Sequence, residues 1–148
     1  MKIVLQRVKK AKVTINNMVS GKIDRGYLLL LGIGKNDTKE TAEKLVDKVK
    51  KLRLFEDENG KTNLSIDQIG GKVLVVSQFT LYANCKKGTR PSFDEAASPL
   101  LANELYEYFL ECCENTFGSV QHGEFGADMQ VELINDGPFT ILLDSNLS

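Results

Sequence analysis

The sequence predicts an α+β fold, a largely antiparallel, barrel-like sheet with two main helices packed on it. Three observations carry that expectation. Strand-like and helix-like stretches run as strands, helix, strands, helix, strands, without regular βαβ alternation. Tyr27–Ile33 and Val73–Val76 are continuous apolar runs, the pattern of strands buried on both faces. Two segments place apolar residues at helical spacing. With 148 residues and no linker, repeat or low-complexity stretch, a single domain over 1–148 with its own core is expected.

The elements follow in order. Residues 2–8 and 11–15 read as strand, with alternation in Lys12-Val13-Thr14-Ile15 burying one face. Asn16-Asn17 is a turn before a strand over Val19–Ile23, and Gly26 opens the central strand. Asp37 with Glu40 resembles a capping box, and Ala42, Leu45, Val46 and Val49 define a helix over 38–51. Leu52–Phe55 reads as extended and 57–60 as a turn. Val73–Val76 runs into Ser77-Gln78-Phe79-Thr80-Leu81, then into a basic loop, Lys86-Lys87-Gly88-Thr89-Arg90-Pro91. Ser98-Pro99 is an N-cap followed by proline at the first helical position, with an apolar stripe to about Cys113. Short strands over 119–121, 129–134 and 139–143 finish the chain. Asn135-Asp136-Gly137-Pro138-Phe139-Thr140 joins the last two, and taken alone it reads as a hairpin turn. It is also a stiff, bare piece of main chain, since proline fixes φ and glycine lets a ligand approach closely.

Composition narrows the function classes. Apolar content is 42% and charged content 26%, ordinary for a soluble globular protein. The longest apolar run is too short to span a bilayer, and the N-terminus lacks a signal-peptide pattern. Three cysteines, two of them adjacent, form neither a disulfide framework nor a CxxC pair, so a cytoplasmic setting is expected. Net charge is −1, but residues 1–72 hold 16 Lys+Arg against 9 Asp+Glu, a net of +7, and residues 73–148 hold 3 against 11, a net of −8. A basic surface from the first half could meet a polyanion; alternatively its lysines only solvate a helix face.

Candidate chemistry gathers after the buried strand. Ser77 or Thr80 could act as a nucleophile, Gln78 could donate to an oxygen, and main-chain N–H groups there could form an oxyanion hole. The alternative is a strand edge with satisfied hydroxyls. A hydroxyl nucleophile needs a base, and His122 is the one histidine, with no carboxylate marked as its partner. Cys112 and Cys113 lie on a helix stripe, where thiols are inert. No metal-ligand spacing or phosphate-binding glycine motif is present, so no metal or cofactor is expected. An enzyme of this sequence would work with backbone donors, amides and hydroxyls, or borrow a group from its substrate.

Ser77–Leu81 and Asn135–Thr140 together resemble the D-aminoacyl-tRNA deacylase family. Met1–Val8, Lys87–Phe93 and Gly123–Val131 extend the likeness across nearly the whole chain. The resemblance implies an editing hydrolase that cleaves the ester of D-aminoacyl-tRNA, and glycine from alanine tRNA. It implies a homodimer with its sites at the subunit interface, where the Gly137-Pro138 bond is cis and enters the partner's cleft to exclude L side chains. It implies that the tRNA's terminal 2′-hydroxyl assists hydrolysis. On this basis Ser77, Gln78, Phe79 and Thr80 are assigned to the catalytic pocket, with the Phe79 N–H as oxyanion donor and Gln78 supporting it; Thr80 as covalent nucleophile is the minority reading. Ala102, Phe125, Gly126 and Met129 are assigned to the substrate-binding wall, and Arg7 to fixing Gly137-Pro138. Lys86, Lys87 and Arg90 are candidate phosphate contacts by charge and position. Position 139 is usually valine in the family and is Phe139 here.

Overall fold

A computed structural model describes residues 1–147. Strand β1 (Lys2–Ile15) is the spine of the sheet. Along one edge it pairs antiparallel with β8 (Gln130–Asp144). Along the other its first half pairs with β3 (Gly26–Gly32) and its second half with β2 (Met18–Ile23). The expected break between residues 8 and 11 does not occur. Lys9 and Lys10 lie on an exposed stretch of one continuous strand, and register shifts against β8 absorb the change of face there.

That change of face builds two cores. Ile3 and Leu5 join Tyr27, Leu29, Leu31, Val73 and Val75 under the helices. Val8, Ala11 and Val13 join Ile23, Leu28, Leu74 and Val76 on the opposite side. Strands β3 and β6 (Lys72–Ser77) are thus buried on both faces, which is why their sequences do not alternate. Their pairing is parallel, as is that of β6 with β7 (Gln121–His122), so the sheet is mixed. Ser20 Oγ donates to the His122 carbonyl at 3.0 Å and the Lys22 N–H to Gln121 Oε1 at 3.2 Å, drawing β2 toward β7 and nearly closing the barrel.

Helix α1 (Lys39–Lys51) buries Ala42, Leu45, Val46 and Val49; helix α2 (Pro99–Phe117) buries Leu105, Tyr106, Phe109, Leu110 and Cys113. The α1 capping box is Thr38 with Thr41, not Asp37 with Glu40. Asp37 is held elsewhere: its carboxylate accepts from the Met1 ammonium and the Gly34 N–H, both at 2.6 Å. Helix α2 starts at the expected Ser98 cap and runs one turn beyond Cys113, to Gly118 in the left-handed conformation. A small hairpin of β4 (Arg53–Glu56) and β5 (Thr62–Ser65) flanks the main sheet; its second strand has no clear sequence signal. The three terminal strands are two: β7 spans 121–122, and 130–144 is one strand. Gly137-Pro138, in the cis form, is a bulge within β8 and not the tip of a hairpin, because both flanks pair with the same β1. Among the described residues no helix is long and apolar enough to cross a membrane.

Candidate active site

Strand β6 ends where the buried sheet meets solvent. Ser77 is its last residue, opposite Leu31 of β3, and the Gln78 N–H donates to the Leu31 carbonyl at 2.7 Å. The chain then tightens into a single 3-10 turn over Phe79–Tyr82. Leu81 and Ala83 donate back to the carbonyls of Gln78 and Thr80. The first amides of such a turn have no intrahelical acceptor. Those of Phe79 and Thr80 find none among the described residues, and Phe79 itself is 56% exposed.

This turn edges a mostly apolar cleft of about 630 Å³. Ser77, Gln78 and Phe79 line it beside Val76, and the start of α2 supplies Pro99 and Ala102. Phe125, Gly126 and Met129 come from the loop between β7 and β8. Met129 is seated by Gly123: a Cβ on that glycine would stand 2.4 Å from Met129 Sδ. Phe125 is braced by Tyr106, ring centroids 5.9 Å apart. The structure therefore brings Ser77, Gln78, Phe79, Ala102, Phe125, Gly126 and Met129 together. Thr80 is exposed and outside the lining, its Oγ1 accepting from Gln78 Nε2. Both the backbone N–H and a side-chain N–H of Gln78 are thus engaged within the chain, leaving the Phe79 amide as the freer donor.

None of the sixteen cleft-lining residues carries a carboxylate, imidazole, amine or thiol. His122 is not among them; its Nδ1 lies 2.7 Å from the Gly123 carbonyl oxygen, and no hydrogen bond joins it to Ser77. Burial raises the pKa of the Cys113 thiol well above its ordinary value, consistent with a core residue. Sequence reasoning missed Phe93, Ala96 and Ala97, which line the cleft from the loop before α2. Phe93 meets Phe79 edge-on with centroids 4.9 Å apart. The one available signal was Phe93 closing the Lys87–Phe93 stretch. That loop is pinched where Asn84 and Ser92 exchange backbone hydrogen bonds of 2.7 and 2.9 Å. Lys86, Lys87 and Arg90 are exposed on it, a few residues along the chain from the cleft wall.

Arg7 and Gly137-Pro138 lie apart from the cleft lining. Arg7 is 6% exposed. Its Nε donates to the Asp136 carbonyl at 3.0 Å and its Nη1 to the Leu54 carbonyl at 2.5 Å. The Asp136 carboxylate lies 3.6 Å away, and the guanidinium stands over the Phe139 ring, 4.4 Å from its centroid. Gly137 and Pro138 are exposed. Gly137 has φ of +136°, and a Cβ there would meet Phe139 N at 3.1 Å and Arg7 Nη2 at 3.2 Å, so the position requires glycine.

The family model and the similar sequences point to one family. Residues 4–144 match the family described as D-Tyr-tRNA(Tyr) deacylase. The chain is 58% identical over 144 residues to a D-aminoacyl-tRNA deacylase of Lactobacillus gasseri, covering 97% of this chain and 99% of the relative. It is 55% identical over 145 residues to one from Thermosipho africanus, covering 98% and 97%. Among solved structures, one described as c-Myc DNA Unwinding Element Binding Protein superposes with a TM-score of 0.91 at 42% identity, covering 97% of this chain and 98% of that one. The chain belongs to the D-Tyr-tRNA(Tyr) deacylase family.

Proposed function

We propose that the protein is a homodimeric, cytoplasmic editing hydrolase that cleaves the ester joining a D-amino acid to the acceptor end of tRNA. The observation that carries this reading is the cleft: apolar, free of titratable side chains, and edged by the unpartnered amide of Phe79. Such a site suits a reaction in which the substrate brings its own catalytic hydroxyl. The terminal 2′-hydroxyl assists a water in attacking the ester carbonyl. The developing oxyanion accepts from the Phe79 N–H, which has no partner within the chain to give up. Collapse breaks the ester bond and returns the 3′-oxygen to tRNA as a hydroxyl, releasing the amino acid. Ser77 and Gln78 position the ester, and Thr80 orients Gln78. Ala102, Phe125, Gly126 and Met129 hold the adenosine end.

Chirality is read by main chain. The Gly137-Pro138 segment of one protomer enters the cleft of its partner and holds the substrate's α-amino region. Its closeness leaves an L side chain no room. Glycine has no side chain to exclude and is also hydrolysed, from alanine tRNA. Arg7 holds the segment through the Asp136 carbonyl. Lys86, Lys87 and Arg90 meet phosphates. The test is deacylation of D- and L-tyrosyl-tRNA by the purified protein. Turnover of the D ester alone is expected; equal turnover of both sinks the chiral role.

A second reading is a nucleic-acid-binding module without chemistry, favoured by the 42% identity to the structure described as a DNA unwinding element binding protein. Salt-dependent tRNA binding with no ester cleavage selects it.

A further inference from the structure

The Gly137-Pro138 segment is held by a second device besides Arg7. Ladder pairing joins Gln6 to Thr140 and Val8 to Asn135. Two steps along β1 thus face five along β8, and residues 136–139 are thrown out of the ladder as a loop. Asn135 and Thr140 form its neck; each pairs with β1, but no ladder pairing joins one to the other. Here the Asn135 side chain closes it twice. Its Oδ1 accepts from the Phe139 N–H at 2.7 Å, and its Nδ2 donates to Thr140 Oγ1 at 3.1 Å. A carboxamide accepts on one end and donates on the other, and both ends are engaged here. The first bond satisfies a half-buried main-chain donor immediately after Pro138. The second ties the two sides of the neck.

We infer that Asn135 is a positioning residue for chirality: its carboxamide fixes how far Gly137-Pro138 projects, and hence how closely main chain approaches the substrate's Cα. The inference rests on the reading of that segment as the chiral filter. Asn135 touches no substrate and acts through the loop.

The test compares kcat/KM on D- and L-tyrosyl-tRNA for Asn135→Ala, Asn135→Asp and Gly137→Ala dimers. Loss of the strap lets the loop retreat, so Asn135→Ala is expected to cut the D-to-L ratio about tenfold, chiefly by admitting the L ester. Asn135→Asp keeps the acceptor for Phe139 and can accept a hydrogen bond from the Thr140 hydroxyl. It is expected to recover most of the ratio. A merely structural role would lower both turnovers together with the melting temperature and leave the ratio unchanged; that result overturns the inference. If Gly137→Ala collapses the ratio while Asn135→Ala leaves it within twofold, the filter stands and the strap falls. If Gly137→Ala leaves the ratio untouched, the filter reading itself fails and the inference falls with it.

Discussion

The cleft and the Asn135–Thr140 loop are built by opposite means. The cleft is concave and apolar, carved where a doubly buried strand runs out beside a helix start. Its shape follows from side chains: Ala102 small, Phe125 braced, Met129 seated on a glycine. The loop is exposed at Gly137 and Pro138, and its backbone is held by Arg7 and Asn135. One region has a hollow; the other has exposed main chain and lies outside that hollow. The two are complementary, and Gly137 and Pro138 do not line the cleft of their own chain. In the proposed dimer a second copy is what lets them meet.

The largest effect expected from breaking this division is chemical. A tRNA ending in 2′-deoxyadenosine, charged through its 3′-hydroxyl, is expected to lose about 10²- to 10⁴-fold in single-turnover rate, because the cleft has no base to replace the missing hydroxyl. An undiminished rate contradicts substrate assistance. Next comes the loop: Gly137→Ala puts a side chain into the left-handed region against Phe139 N and Arg7 Nη2, and is expected to lower D-over-L discrimination at least about tenfold with binding retained. Thr80→Ala removes only the acceptor for Gln78, so a loss of about three- to tenfold in kcat is expected. Complete loss of chemistry with binding intact would make Thr80 the nucleophile. The smallest effect belongs to the rim. Replacing Lys86, Lys87 and Arg90 by alanine is expected to raise KM several-fold at low salt, flatten the salt dependence and spare kcat.

Much of the cleft could be read from the chain, because it depends on local signals. Polar Ser77–Thr80 directly after Val73–Val76 marks a strand end, and Ser98-Pro99 marks the helix start that brings Ala102 to it. What escaped depends on distant partners. Asp37 and Glu40 look like a cap, but Asp37 is drawn to an ammonium 36 residues away. The split at Lys9-Lys10 is polar in sequence, yet β8 carries the strand through it. The apolar runs of β3 and β6 mark burial on both faces but do not show that the two strands pair with each other. The Asn135–Thr140 segment shows the same limit most clearly. Gly-Pro between two apolar runs is a hairpin by every local rule, and only the shared partner β1 makes it a bulge.

The claim that the site is composite is tested most directly by a mixed dimer. One subunit carries Ala102→Trp, which fills the cleft; the other carries Gly137→Ala, which spoils the loop; separate affinity tags isolate the heterodimer. Its single open cleft belongs to the Gly137→Ala subunit and faces the intact loop of the Ala102→Trp subunit. Hydrolysis with the D-over-L selectivity of the unmodified protein is expected. The poor selectivity of the Gly137→Ala homodimer, or a chain that is monomeric at assay concentration, would contradict it.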